Sequence, residues 1–210
     1  MAENDKQYVT PEGRLINHAL FERDAYKDPS GKGREGDPMY RIEMAFDEKD
    51  IEELEDLIVQ AAIDEWGSKA GDDYDNGVIE TPILDGDELA KKREDKGKKG
   101  DAYKGKLVIR AHTIYNRNGE DAPGGVYVCN ANAEEITPAD RGEVYNGCYG
   151  VASVTVQPYL IDRKKGATLY LNGFQKTDDG ERLRSADPSS LFKPMMSKDS
   201  EDKGRRRRRG

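Results

Sequence analysis

The sequence predicts an all-β fold with one main helix, and three observations support that prediction. Several short segments alternate apolar and polar residues, as residues 39–46 do, which is the pattern of a strand buried on one face. Stretches rich in glycine and proline separate these segments. Residues 51–62 instead repeat their apolar side chains at helical spacing. Many short strands joined by glycine-rich turns are typical of a β-barrel or a β-sandwich.

The first half of the chain contains two predicted strands and the helix. The polar residues 1–12 are predicted to form a flexible arm, followed by strands over residues 13–23 and 39–46. The helix is predicted to begin after Asp47, a favourable N-cap residue, and to end at Gly67. Its apolar stripe, which is expected to plug or flank a barrel, comprises Ile51, Leu54, Ile58, Ala61 and Ala62.

The second half is predicted to hold a long loop, several strands and a tail. Residues 68–105 show no sustained periodicity and are therefore predicted to be a long loop. Strands follow over 106–116 and 125–131, and residues 143–184 form a long hairpin around the turn 162–166. Residues 186–210 are predicted to be a flexible C-terminal tail. Residues 13–185 fit one OB-fold domain, a five-stranded Greek-key barrel with long loops.

Composition limits the functions that the chain can have. Of its 210 residues, 36% are charged and 35% are apolar, which suits one domain with appendages. The N-terminus is polar and no apolar run is long enough to cross a membrane, so we expect a cytoplasmic protein without membrane association. Cys129 and Cys148 are expected to be reduced thiols.

Neither an enzyme nor a metal-binding protein is expected. The two histidines, His18 and His112, fall in separate predicted strands, and no catalytic or phosphate-binding motif occurs. The acidic residues between 72 and 88 lack the ligand spacing of a calcium loop and are interpreted as solvated. We therefore expect no catalytic residue and no cofactor.

The distribution of charge points to an anionic partner although the net charge is −8. The arginine run 205–209 carries five positive charges, so residues 1–204 carry −13. Basic residues concentrate between 91 and 117 and again between 163 and 184. Salt screens repulsion beyond about 10 Å, so a basic face on an acidic protein can still bind phosphates. The basic residues that are candidates for contact with this partner are Arg41, Lys104, Lys106, Arg110, His112, Lys176, Arg205, Arg206, Arg207, Arg208 and Arg209.

Tyrosine dominates the aromatic residues, with eleven tyrosines against four phenylalanines and one tryptophan. Tyr149 and Tyr159 are predicted to share a polar face of the hairpin, where their rings could stack on bases. Tyr115 and Tyr103 are further candidates, the latter on the predicted loop. A place in the barrel core is the alternative for such rings. Tyrosine faces beside cations are what a flexible, base-bearing anionic strand needs.

The order of four motifs resembles a family of phage single-stranded DNA-binding proteins. The motifs are P-I-L-D-G-D-E at 82–88, Y-N-G-C-Y at 145–149, A-S-V at 152–154 and L-N-G-F-Q-K at 171–176. The resemblance implies an OB fold that coats single-stranded DNA during phage DNA replication and recombination, in the host bacterial cytoplasm and without a cofactor. Related phage proteins carry acidic C-terminal tails that recruit replication enzymes, whereas this chain ends in five arginines.

The sequence leaves several partners open. The basic tail predicts binding to double-stranded DNA, because arginine pairs well with phosphate regardless of base. Phage replication proteins and a second copy of the chain are further candidate partners. The alternative function is a phage structural or protein-interaction module without nucleic-acid binding, which the net acidity favours.

Overall fold

A computed structural model describes residues 7–24, 38–113 and 126–183. This part of the chain contains three α-helices, α1 Glu52–Trp66, α2 Lys69–Asp75 and α3 Gly86–Glu94. It also contains eight strands that form one sheet. They are β1 Gln7–Val9, β2 Gly13–Asp24, β3 Met39–Phe46, β4 Ile83–Asp85, β5 Leu107–His112, β6 Tyr127–Cys129, β7 Tyr149–Ile161 and β8 Lys164–Asp178.

Five of the strands pair in a cycle that has OB-fold connectivity. β2 pairs with β3, β3 with β5, and β5 runs parallel to β8. β8 pairs along its length with β7, and β7 returns to β2 through residues 149–150. Strands β1, β4 and β6 extend this set by pairing with β7, β5 and β8. The predicted OB-type fold is therefore confirmed, and residues 7–9 of the predicted arm form its added strand β1.

Helix α1 packs into the core as its apolar stripe predicts. Leu54 and Ile58 are fully buried in the same cluster as Leu15, Val154 and Phe174. A 3₁₀ turn over Glu48–Asp50 precedes the helix, and Gly67 follows it with a φ of 86°. Asp47 makes no capping hydrogen bond, because its carboxylate binds Lys106 on a neighbouring segment. No helix of the described part is long and apolar enough to cross a membrane.

The prediction of a long loop over residues 68–105 is wrong, because α2, β4 and α3 lie there. Asp85 caps α3 by accepting hydrogen bonds from the backbone N–H groups of Asp87 and Glu88. Each of these short elements buries few residues, such as Ala70 in α2 and Ala90 in α3, so no apolar period could be seen. The fold thus has more helix than the one main helix that the sequence predicts.

The β7–β8 hairpin spans residues 149–178, within the predicted range 143–184, and its turn is tighter than predicted. Ile161 pairs with Lys164, so only Asp162 and Arg163 form the turn. Both residues have positive φ angles, 49° and 68°, as a type I′ turn requires. Along β7 the even-numbered residues from 150 to 158 are buried, while Gln157 and its odd-numbered neighbours reach the surface. The hairpin therefore presents a polar outer face, as its alternation predicts.

Candidate nucleic-acid interface

The outer face of β3, β5 and β8 brings three predicted residues together. Arg41 on β3 lies opposite His112 on β5, which in turn lies beside Tyr170 on β8. The His112 and Tyr170 rings meet edge to face, with their centroids 5.8 Å apart. Arg110 lies two residues along β5 from His112 and is exposed. We call Arg41, Glu43, Arg110, His112 and Tyr170 the sheet face.

A groove lies beside the sheet face, where β2, the segment after α3 and the segment after β8 converge. Its larger part is a cleft of about 850 Å³ and its smaller part a cleft of about 300 Å³, and both include Arg14 and Asp101. We call the two together the Arg14 groove. Its cationic lining residues are Arg14, Arg93, Lys98, Lys99, Lys104, Lys106 and Arg182. Asn17 joins the groove to the sheet face, because it lines the larger cleft and pairs with Glu43.

Apart from His112, the predicted basic contact residues that the structure describes are already paired with carboxylates. Lys104, Lys106 and Lys176 each lie 2.6 Å from an acidic oxygen, and Arg110 lies 2.8 Å from one. The partners of these four residues are, in the same order, Glu94, Asp47, Asp179 and Glu43. Arg41 is paired with Asp24. The carboxylates largely neutralise the positive charge at these positions. A phosphate would therefore have to compete with them for each cation.

The pairing shifts the pKa values of the groups involved. The pKa of Asp47 is lowered by the hydrogen bond that it accepts from Lys106 and then by the charge of that lysine. A hydrogen bond from Lys104 to Glu94 raises the pKa of that lysine. Burial is the largest influence on Lys176 and lowers its pKa, but the hydrogen bond to Asp179 and the charge of that carboxylate, with smaller contributions from Tyr145 and Cys148, together raise it. These shifts favour the charged, paired forms near neutral pH.

The Arg14 groove holds a second set of cations that sequence reasoning missed. Within the described part of the chain, Arg14, Arg93, Lys98, Lys99 and Arg182 form no ion pair with a carboxylate. Asp101 and Glu181 are the acidic residues that line the larger cleft, so its charge is net positive. The only signal in the sequence was the lysine-rich run after residue 91. Arg14 and Arg182 lie far from that run and only the fold brings them to it.

Tyr149 and Tyr159 lie at opposite ends of β7. Tyr149 lines the smaller cleft with Lys104 and Lys106, which places three predicted residues in one site. Tyr159 lies across Gly166, where an added Cβ would come within 2.4 Å of the ring. Burial, and then the hydrogen bond to Glu80 at 2.8 Å, raises the pKa of Tyr159. Ten residues of strand separate the two rings by about 33 Å, so they cannot stack on the same base.

Tyr103 does not lie on an exposed loop, which corrects its prediction as a stacking residue. Its side chain is only 2% exposed and packs with Ile16, Ala45 and Val108 against the sheet. The phenol donates a hydrogen bond of 3.2 Å to Glu43, and burial followed by the Glu43 charge raises its pKa to about 12. Tyr103 therefore anchors the segment after α3. Tyr115 and the arginine run 205–209 fall outside the described residues.

The segment after β8 forms one wall of the Arg14 groove. The backbone N–H of Leu183 donates to the carbonyl of Asn146 at 2.7 Å, and Arg14 donates to the carbonyl of Glu181 at 3.1 Å. Gly180 passes so close to Gly147 that an added Cβ would lie 2.1 Å from the carbonyl oxygen of Gly147. These contacts fix the wall to β2 and to the segment before β7.

An OB fold whose groove holds a cluster of unpaired cations in its larger cleft is the architecture of a nucleic-acid-binding protein. The sequence profile of a family described as "Enterobacter phage Enc34, ssDNA-binding protein" matches residues 7–203. The chain belongs to this family of phage single-stranded DNA-binding proteins.

Comparisons of structure agree with this assignment at the level of the fold. The single-stranded DNA-binding protein of bacteriophage Enc34 in complex with ssDNA superposes with a TM-score of 0.62 at 16% identity, over 86% of this chain and 91% of that chain. The gp2.5 single-stranded DNA-binding protein of bacteriophage T7 superposes with a TM-score of 0.56 at 10% identity, over 89% and 93%. A comparison with curated protein sequences gave no significant match.

Proposed function

We propose that the protein coats single-stranded DNA with little sequence preference and that the strand follows the Arg14 groove onto the sheet face. The observation that carries this proposal is the concentration of unpaired cations in one groove of a chain whose net charge is −8. Phosphate contacts supply affinity without reading sequence, and base stacking is tolerant of sequence because every base has a π face.

The residues divide into two roles under this proposal. Arg14, Lys98 and Lys99 hold phosphates along the groove, since no described carboxylate neutralises them. Tyr149 at one end of the site and Tyr159 at the hairpin provide rings for bases. On the sheet face, Arg41, Arg110 and His112 remain proposed contacts, with the two arginines released from their carboxylates as phosphates approach. Lys176 is largely buried beneath Tyr145 and is therefore a weaker candidate for contact with DNA.

The family supports a proposal for the biological setting. A protein that coats single strands serves phage DNA replication and recombination in the host bacterial cytoplasm, and it needs no catalytic activity of its own. We further propose that the arginine run 205–209 binds the phosphates of double-stranded DNA. Five guanidiniums read charge rather than base, so the tail would add duplex binding to a site built for single strands.

Fluorescence anisotropy with a labelled oligothymidylate and a labelled duplex of equal length tests the function. We expect binding to the single strand that weakens as salt rises. Absence of binding to any single strand at low salt would reject the proposal and favour a protein-interaction module instead.

A further inference from the structure

Two arginines in the Arg14 groove stack on tyrosine rings. The guanidinium carbon of Arg182 lies 3.8 Å from the centroid of the Tyr145 ring, and that of Arg93 lies 4.9 Å from the centroid of Tyr103. Arg93 is partly buried and its Nε donates to the carbonyl of Lys99 at 3.1 Å. Arg182 is exposed, and its hydrogen bond to the carbonyl of Gly142 is long at 3.5 Å. The two stacks thus differ in how much of the guanidinium is left for a ligand.

The Tyr145 ring beneath Arg182 is held rigidly. Its hydroxyl lies 2.9 Å from Asp179 Oδ1 and accepts the backbone N–H of Gly180 at 3.2 Å. Lys176 approaches the same ring, with its Nζ 5.4 Å from the centroid. The ring therefore cannot swing away from the guanidinium without losing several bonds. A planar cation supported on one side by a fixed ring is preorganised to accept a second flat group on its other side.

We infer that Arg182, supported by Tyr145, is a platform on which a nucleobase of the bound strand stacks in the Arg14 groove. This inference rests on the proposed function and names a base-binding position that the tyrosines Tyr149 and Tyr159 do not supply. Guanidinium planes accept unstacked bases as aromatic rings do.

The wall that carries Arg182 is suited to this role. Leu183, the next residue, packs against the cluster of Ile16, Tyr103 and Val108. Arg182 is thus held between Gly180, which contacts Gly147, and an anchored leucine. No ion pair with a described carboxylate competes for its guanidinium, in contrast to Arg110 on the sheet face. The position therefore offers a flat cationic surface that no ion pair within the described residues occupies. It lies near the Asp179 carboxylate, whose pKa is lowered by the hydrogen bond from Lys176 and, less strongly, by the Arg182 charge.

The test compares Arg182→Lys with wild type in the full-length protein. Lysine keeps the charge but removes the plane, so affinity for an oligothymidylate should fall roughly fivefold or more. Affinity for an abasic oligonucleotide of the same length should stay within about twofold, since the phosphate contact is kept and only stacking is lost. Arg163→Lys, an exposed arginine in the hairpin turn, is the matched control and should change neither affinity.

The outcomes separate this inference from the proposed function. If wild type binds the oligothymidylate and Arg182→Lys binds it equally well, the platform is rejected while the function stands. If Arg182→Lys weakens the oligothymidylate and the abasic strand by the same factor, Arg182 acts through charge or structure alone and the platform is again rejected. If wild type binds neither strand, the proposed function fails first.

As a second readout, a 2-aminopurine base placed in the oligonucleotide should be quenched on binding to wild type. The quenching should decrease with Arg182→Lys at saturating protein and persist with Arg163→Lys. Equal quenching by all three proteins at every position of the probe would overturn the inference.

Discussion

Arg110 on β5 and Glu43 on β3 lie opposite each other at the centre of the sheet face, with Arg110 Nε 2.8 Å from Glu43 Oε1. The carboxylate of Glu43 also accepts the phenol of Tyr103, so one acidic group joins the sheet face to the segment beside the Arg14 groove. Glu43 is the less exposed partner, its side chain being 13% exposed against 51% for Arg110. An acid at this place repels phosphate and neutralises the arginine that phosphate would otherwise meet.

We expect Glu43→Gln to bind single-stranded DNA several-fold more tightly than wild type. Glutamine keeps the size of the side chain but carries no negative charge. Its amide oxygen can still accept from Arg110, while its NH2 group can only donate, to the Tyr103 hydroxyl. The log–log salt slope should steepen by about 0.7 if Arg110 gains a phosphate. Glu65→Gln, an exposed position on α1 with the same change in charge, should have little effect. Unchanged affinity in Glu43→Gln would mean that the strand does not cross this part of the sheet.

Salt dependence tests the phosphate contacts in the Arg14 groove. If four or five cations meet phosphates, the log–log slope for wild type should be about −3, at ~0.7 per contact. The double variant Lys98→Ala/Lys99→Ala should weaken binding and reduce the slope by about 1.4. Lys49→Ala/Lys69→Ala changes the net charge equally at exposed positions outside the groove and should preserve the slope. If the two double variants have the same salt slope, the hypothesis that phosphates bind in the groove is rejected.

The two rings at the ends of β7 are expected to contribute separately. Tyr149→Ala and Tyr159→Ala should each cost about 1–3 kcal/mol of binding free energy, the usual range for a stacked base. Tyr149→Phe and Tyr159→Phe keep the rings and should bind nearly as wild type does, although Tyr159→Phe loses the bond to Glu80. Thermal melting controls for damage to the fold. Wild-type affinity in both alanine variants would place the rings away from the DNA.

Gly180 tests whether the wall after β8 belongs to the site. A Cβ at this position would lie 2.1 Å from the carbonyl oxygen of Gly147 and 2.9 Å from Tyr149, so Gly180→Ala must displace the wall. We expect a loss of about 1–3 kcal/mol in stability and weaker single-strand binding. Gly142→Ala is the matched control, because nothing lies within 4 Å of its added Cβ. If Gly180→Ala melts early yet binds DNA with full affinity, the wall is structural only.

Deleting residues 204–210 tests the role of the arginine run. Duplex binding should be lost while single-strand binding is largely retained, because the proposed tail contacts are to phosphates alone, whereas the proposed single-strand site also stacks unpaired bases. Light scattering on the same variant follows self-association. Tighter DNA binding after the deletion, or altered self-association with unchanged duplex affinity, would instead assign the arginines to the acidic surface of this protein.

The local patterns of the sequence determined most of the strands and the main helix. The alternation in β3 and β7 and the apolar stripe of α1 follow from the geometry of one element, so neighbouring residues suffice to read them. The short helices α2 and α3 escaped because each buries only one or two residues, too few to set a period. The tight turn at Asp162 and Arg163 escaped because Arg163 stands where glycine usually follows an aspartate in such a turn, and it adopts a positive φ angle all the same.

The candidate site was predicted only in part, and the reason is electrostatic pairing. The sequence located Tyr149, Lys104 and Lys106, which meet in one cleft, and Arg41 and His112, which lie side by side on the sheet. It could not show which cations are neutralised, because ion pairs such as Lys106–Asp47 and Arg110–Glu43 join residues some 60 positions apart.

Only the tertiary structure decided where unpaired charge collects. Arg14, Lys98 and Arg182 come from three distant parts of the chain, and the OB fold places all three at one groove. The burial of Tyr103 also depends on the tertiary structure. Glu43 accepts a hydrogen bond from its hydroxyl, which offsets the cost of removing that polar group from water. The sequence by itself thus determined that tyrosines and cations would accompany a β-rich fold, while the fold determined which of them remain available to bind a strand.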